Sequence, residues 1–291
     1  MASLDDLKKR ISSVKSTQKI TKAMKMVAAS KLRRAQESAE KGRPYSDKMN
    51  NIILNLSNSI SDKENSPKLL SGSGEDKVHL CIVMTSDRGL CGGFNTNIIK
   101  KAKLYFQKIL DSGKMLKIIT VGSKGYDQLK RTYKENIIEK ISFKESKYAN
   151  YFDAEKVGKI IIDMFEKKEF DVCTIFYNQF KNVITQIPQE QQIIPLKDSE
   201  KEGNSSKDNY EFEPEEDEIL SNLLPKNVST QIFKAMLENS ASEQGSRMSA
   251  MDNATRNAGE MVDKLTIQYN RSRQAAITKE LIEIISGAES L

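Results

Sequence analysis

Histidine occurs once in the 291 residues, as His79, and cysteine three times, as Cys81, Cys91 and Cys173. His79 opens a strand-like run and is read with no cysteine or acidic partner near it in sequence, which removes most histidine-assisted nucleophiles and most zinc chemistry. Three scattered cysteines make no disulfide framework. Cys81 and Cys173 lie within apolar runs and read as buried thiols, and Cys91, close to a helix start where a thiol pKa can fall, also reads as structural. No apolar run approaches the roughly 18 residues that span a bilayer. The N-terminus MASLDDLKKR lacks an apolar signal core and carries an early acidic pair, against a secretory or transit peptide. With 30% charged residues and a mean hydropathy of −0.55, the expectation is a soluble chain that stays where it is made.

Proline is also sparse: six residues, none before Pro44 and none after Pro225. Both ends therefore read as long helices. In the first, Leu7, Ile11, Val14, Gln18, Thr21, Lys25, Ala28, Leu32, Ala35 and Ala39 alternate by four and three, and Met49, Ile53 and Leu56 resume the phase beyond Pro44. Ser3 as N-cap with Asp5 and Asp6 in the first turn gives a start, and SPKLLSGSG at 66–74 a linker. In the last segment Met248, Met251, Thr255, Ala258, Val262, Leu265, Tyr269, Ser272 and Ala276 form the same kind of stripe, and the helix is expected to run nearly to Gly287. A helix of about 60 residues is about 90 Å long, several times the span of a compact domain. It must bury its stripe against something outside a globular core. The economical partner is the other terminal helix, giving an antiparallel coiled coil in which Ile277, Leu281 and Ile284 are expected beside the start of the N-terminal helix.

Between the ends the pattern changes to strands alternating with amphipathic helices: strands at 78–86, 115–122, 137–143, 170–178 and 183–196, helices from Asn95, Lys124 and Asp153. That alternation predicts a mainly parallel sheet covered by helices, a Rossmann-like α/β domain. The expected division is 1–65 as N-terminal coiled-coil helix, 75–197 as the α/β domain, 198–218 as an acidic exposed loop and 219–291 as C-terminal coiled-coil helix. Within the α/β part, TSDRGLCGGFNTN at 85–97 raises the question of a phosphate cradle, since a glycine turn before a helix can hold an anion. Counting four residues on from Gly89 puts Phe94 and Asn95 where a P-loop needs Gly and Lys, and Cys91 stands where a dinucleotide fingerprint needs Gly. Gly89, Gly92 and Gly93 instead read as a tight turn whose left-handed or crowded backbone only glycine tolerates cheaply, with no nucleotide and no other cofactor expected.

Charge is unevenly placed. Residues 1–60 carry 13 Lys/Arg against 5 Asp/Glu, and residues 198–218 carry 10 Asp/Glu against 2 Lys. In KITKAMKMVAASKLRRAQ, residues 19–36, Ile20, Met24 and Val27 make a second apolar stripe beside the first. A two-stranded coil uses only one seam, so the second points to another partner. Nucleic acid is not expected, because the basic residues interleave with aliphatic ones and offer no aromatic stacking platform. The C-terminal stretch NSASEQGSRMSAMDNATRNAGEM is rich in small residues that give a lone helix little to hold.

The segments KITKAMKMVAASKL and YNRSRQAAITKELIEIISGA, with SDRGLCGGFN between them, resemble the gamma-subunit family of the F-type ATP synthases, in order and over essentially the whole chain. The resemblance implies a non-catalytic central rotor shaft, coupling ion flow through the membrane rotor to the catalytic beta subunits. Its helices form a coiled coil inside a ring of three alpha and three beta subunits, and the α/β domain is the foot, beside epsilon and the membrane c-ring. It also implies that the glycine turn binds no nucleotide, and that Arg273 and Gln274 meet an acidic loop of a beta subunit. Lys22, Met24 and Lys25 are then expected on the facing part of the N-terminal helix. The implied location is the cytoplasmic side of a bacterial inner (plasma) membrane, held peripherally. The acidic segment matches no motif of the family and has no cysteine, so thiol regulation of the plastid kind is not expected.

Overall fold

The computed structural model describes residues 3–59, 67–144, 148–196 and 216–289. In chain order the elements are α1 (Leu4–Ser59), α2 (Lys68–Ser71), β1 (Val78–Met84), α3 (Phe94–Asp111), β2 (Met115–Val121), α4 (Ser123–Leu129), β3 (Ile137–Ile141), α5 (Tyr151–Glu166), β4 (Val172–Phe180), β5 (Gln186–Ile194) and α6 (Glu216–Glu289). The acidic segment lies outside the described residues up to 215, and its last three residues open α6. The expected linker contains one helical turn, α2, because Leu69 and Leu70 pack into apolar clusters. Contacts divide the chain into two units, Met1–Ala29 with Arg247–Leu291, and Ser30–Ser246.

The first unit is an antiparallel helix pair. Ser3 Oγ accepts from the Asp6 amide at 3.1 Å and starts α1 as a cap. Lys25 Nζ lies 2.5 Å from Asp252 Oδ1, and the Thr21 and Thr255 hydroxyls are 2.8 Å apart. A Cβ on Gly259 would stand 3.0 Å from Gln18 Nε2, so glycine there admits the Gln18 side chain. As the number falls on α1 it rises equally on α6. The seam is the one read from the 4-3 spacing: Leu7, Thr21, Ala28, Met251, Ala258 and Leu265 are buried, with the stripe positions between them half-buried. The second stripe lies outside the seam, with Ile20 and Val27 exposed. Continued at the same register, Leu4 falls level with about Arg273, and α6 beyond has outrun its partner. Ile277, Leu281 and Ile284, expected to pack against the start of α1, are consequently exposed.

The second unit holds a five-stranded sheet in the order β3-β2-β1-β4-β5, parallel throughout except for β5, which runs antiparallel to β4. β1 alternates strictly. Leu80, Ile82 and Met84 enter a core with Ala154, Val157 and Ile161 of α5 and Val228, Ile232 and Ala235 of α6, whereas Cys81 and Val83 face Ile98, Ala102 and Phe106 of α3. Burial on both faces explains its continuous apolar sequence. A third cluster joins Met49, Ile53 and Leu56 of α1 to Leu220 and Leu224 of α6. Both long helices run through a proline, Pro44 and Pro225. The missing hydrogen bond and ring clash cost about 3 kcal/mol each, which flanking burial offsets.

Candidate functional site

The glycine turn is held shut by its own side chains. The Ser86 amide donates to Asn95 Oδ1 at 2.9 Å, Asn95 Nδ2 donates to Ser86 Oγ at 2.8 Å and to Cys91 Sγ at 3.3 Å, and Cys91 is buried. Of the three glycines, Gly92 alone takes a left-handed φ, +57°, and Leu90 takes the other at +63° while its side chain stays exposed. Gly89 and Gly93 have neither a left-handed φ nor a backbone crowding them, so the expectation that all three were required is corrected to one.

Asp87, just before the glycines, turns its carboxylate away from them to the start of α4 and the end of β3. Its Oδ1 accepts from the amide and hydroxyl of Ser123, at the start of α4, both at 2.8 Å, and from Ser142 Oγ at 2.7 Å, while Oδ2 accepts from the Phe143 amide at 3.3 Å. Burial alone would raise the carboxyl, but the bonds from Ser142 and Ser123 outweigh it and hold it below the usual carboxylate range. The crevice outside the carboxyl ends of β1 and β4, where the chain reverses direction across the sheet and doubly wound folds take nucleotides, is crossed by α6. There Ser246 Oγ donates to Cys91 O at 2.7 Å and Ser242 Oγ to Asn178 O at 2.8 Å.

His79 does have an acidic partner, contrary to the sequence reading: its Nε2 is 2.6 Å from Asp76 Oδ1, three residues earlier. Lys114 pairs with the same carboxylate. The bond to Lys114 is the largest influence holding Asp76 below its ordinary range. No group of three or more His, Cys, Asp or Glu is placed to hold a metal among the described residues. A cavity of about 300 Å³ between α1, α5 and α6 is lined by Tyr45, Ser46, Tyr151 and Phe233. Lys234 at its edge is paired with Asp47 at 2.8 Å.

The residues assigned to the shaft surface all fall in the helix-pair unit, at two levels. Lys22 is exposed, and Met24 and Lys25 are half-buried. Lys25 is paired with Asp252, whose carboxyl that contact holds down. Arg273 and Gln274 are exposed, twenty-one or more residues further along α6 than Asp252, or about 30 Å at 1.5 Å per residue. The structure therefore does not bring Arg273 and Gln274 opposite Lys22, Met24 and Lys25. The antiparallel register places residues 252–255 there instead. What sequence reasoning missed is the polar face of α6 that meets the sheet, with Gln231, Glu238, Asn239 and Ser242 all buried. A search for apolar periodicity passes over it.

A profile of the family described as ATP synthase matches residues 3–291. The ATP synthase gamma chain of Pelagibacter ubique (strain HTCC1062) is 88% identical over 291 residues, covering 100% of both chains. That of Roseobacter denitrificans is 59% identical, again over 100% of both. Among solved structures, a chain of the Tetrahymena thermophila mitochondrial ATP synthase central stalk and c-ring matches with a TM-score of 0.62 and 27% identity, over 81% of this chain and 99% of that one. A chain of the Euglena gracilis mitochondrial ATP synthase in rotational state 3 shares the fold, with a TM-score of 0.69 at 19% identity over 99% and 94%. With the profile matched from residue 3 to the end and relatives well above half identity along their whole length, this chain belongs to the ATP synthase gamma-chain family.

Proposed function

We propose that this chain is the central rotor shaft of an F-type ATP synthase, coupling ion flow through a membrane c-ring to conformational change in the catalytic beta subunits, in synthesis and in reverse. It performs no chemistry itself. Family membership carries the reading, and the helix pair supports it physically: one seam is buried internally, while Ile20, Met26, Val27, Met261 and Ile267 remain exposed on the outer surface. Such a surface suits exchange of contacts with successive subunits of an alpha3beta3 ring, without deep interlocking.

In this reading the α/β part, 75–197, is the foot that meets epsilon and the c-ring, and the segments within 1–65 and 219–291 form the shaft. Lys22, Met24, Lys25, Arg273 and Gln274 are its beta-subunit contacts. Their separation along α6 favours torque shared between levels. Each charge crossing about 100 mV releases about 2.3 kcal/mol, so a step driven by several ions carries on the order of 10 kcal/mol. One surface pair, worth about 1 kcal/mol or less, could not hold that alone. No helix of the described residues is long and apolar enough to cross a membrane, which suits peripheral attachment at the cytoplasmic face of the inner membrane. The test is reconstitution on vesicles stripped of the catalytic sector. Alpha, beta and epsilon subunits should restore gradient-driven ATP synthesis with this chain and not without it. Synthesis in its absence, or saturable ATP binding by the chain alone, would contradict the proposal.

A further inference from the structure

β4 outruns its parallel neighbour. Its pairing with β1 ends at Val83 and Phe176, yet the strand continues to Phe180, leaving the N–H and C=O groups of Asn178 and Phe180 on that side without a strand to meet. Buried main-chain groups must find partners. All four do, and all four partners are helix side chains. The Asn178 amide donates to Asn239 Oδ1 at 3.3 Å, and Asn178 O accepts from Ser242 Oγ at 2.8 Å. The Phe180 amide donates to Glu238 Oε2 at 2.9 Å, and Phe180 O accepts from Arg43 Nη2 at 3.2 Å. Arg43 and Glu238 close the set with Nε donating to Oε1 at 2.6 Å, and Glu238 is 2% exposed. Asn239 and Ser242 sit three apart on α6, one face of one turn, and Arg43 reaches Phe180 from α1.

Apolar contact is non-directional and lets a helix slide or roll at little cost, whereas directed hydrogen bonds to a fixed main chain, two of them charge-assisted, resist displacement. We propose that Arg43, Glu238, Asn239 and Ser242 form the torsional joint by which α1 and α6 are locked to the end of β4. Resting on the rotor reading above, this makes them positioning residues for torque transfer, distinct from those that touch the ring. The small polar residues of NSASEQG thereby acquire a role: their short side chains bring the helix close enough to bond strand main chain directly.

The test is the angular spread of a bead attached to α4, recorded during ATP-waiting pauses in complexes of this chain with an immobilised alpha3beta3 ring. Asn239→Leu combined with Ser242→Ala should leave rotation in place and widen the angular variance at least twofold. Arg43→Lys, which keeps the charge but not the fork, should widen it less, and it serves where the double variant does not assemble. Ile161→Val, a destabilising change in the core under α5, should leave the variance unchanged. Unchanged variance in the joint variants, or an equal increase with Ile161→Val, would overturn the joint. Absence of ATP-driven rotation with the unmodified chain would overturn the rotor reading itself, and the joint with it.

Discussion

Gly122 and Gly89 flank the same loop cluster but answer to different constraints. Gly122 holds a φ of +103°, and a Cβ there would lie 2.2 Å from Thr85 O, whereas a Cβ on Gly89 would meet nothing within 4 Å and its φ is not left-handed. Gly122→Ala should therefore destabilise the chain by about 3 kcal/mol or more, and Gly89→Ala by less than about 0.5 kcal/mol, read from urea midpoints. Asp87 gives a pH-dependent counterpart. Its folded pKa lies below the unfolded value of about 3.9, so its contribution is fully present above that pH and is lost as pH falls through the folded value. Asp87→Asn should lower stability at pH 6 and flatten the decline in urea midpoint below about pH 4. A decline as steep as that of the unmodified chain would refute this. The sequence revealed that the turn lacks a phosphate-binding cation. It did not reveal that Asp87 ties this loop to the start of α4 and the end of β3, because the partners Ser123, Ser142 and Phe143 come from distant parts of the chain.

At the level of elements, the long helices differ in how openly they declare themselves. The α1 stripe is legible from Leu7 to Leu56 since each seam position repeats by three or four, and burial follows it through Pro44. The first half of α6 is not, because it packs on the sheet on one side and against α1 on another and buries polar residues as well as apolar ones. Asn227, Gln231, Glu238 and Ser242 are each at most 2% exposed. The tip misled for another reason. Ile277, Leu281 and Ile284 have seam-like spacing, but α1 ends before reaching them. Two substitutions separate these cases. Leu265→Ala, in the buried seam, should cost about 2–5 kcal/mol, and Ile284→Ala no more than about 0.5 kcal/mol, in thermal or urea unfolding of the isolated chain. Equal costs would mean that the tip finds a partner within the chain. Deleting residues after Ala276 should likewise leave the unfolding midpoint unchanged while weakening association with the ring.

The whole molecule comprises a sheet whose nucleotide crevice is crossed by its own helix and a helix pair whose outer face is left apolar and basic. Fold class and family were legible because the terminal segments and the glycine turn are distinctive together. The two-level arrangement of Lys25 and Arg273 was not, since helix register is set by pairing across more than two hundred residues of chain. The central claim is that this chain is a shaft whose torque is spread over several contacts. Its most direct test is ATP-driven rotation of a bead attached to the foot, in alpha3beta3 complexes carrying Arg273→Ala, Lys25→Ala, both together, or deletion of residues 271–291. The account predicts rotation in all of them, with torque falling in steps from the single to the double substitution and further on deletion. Complete loss of torque on Arg273→Ala alone, or undiminished torque after deletion combined with Lys25→Ala, would contradict it.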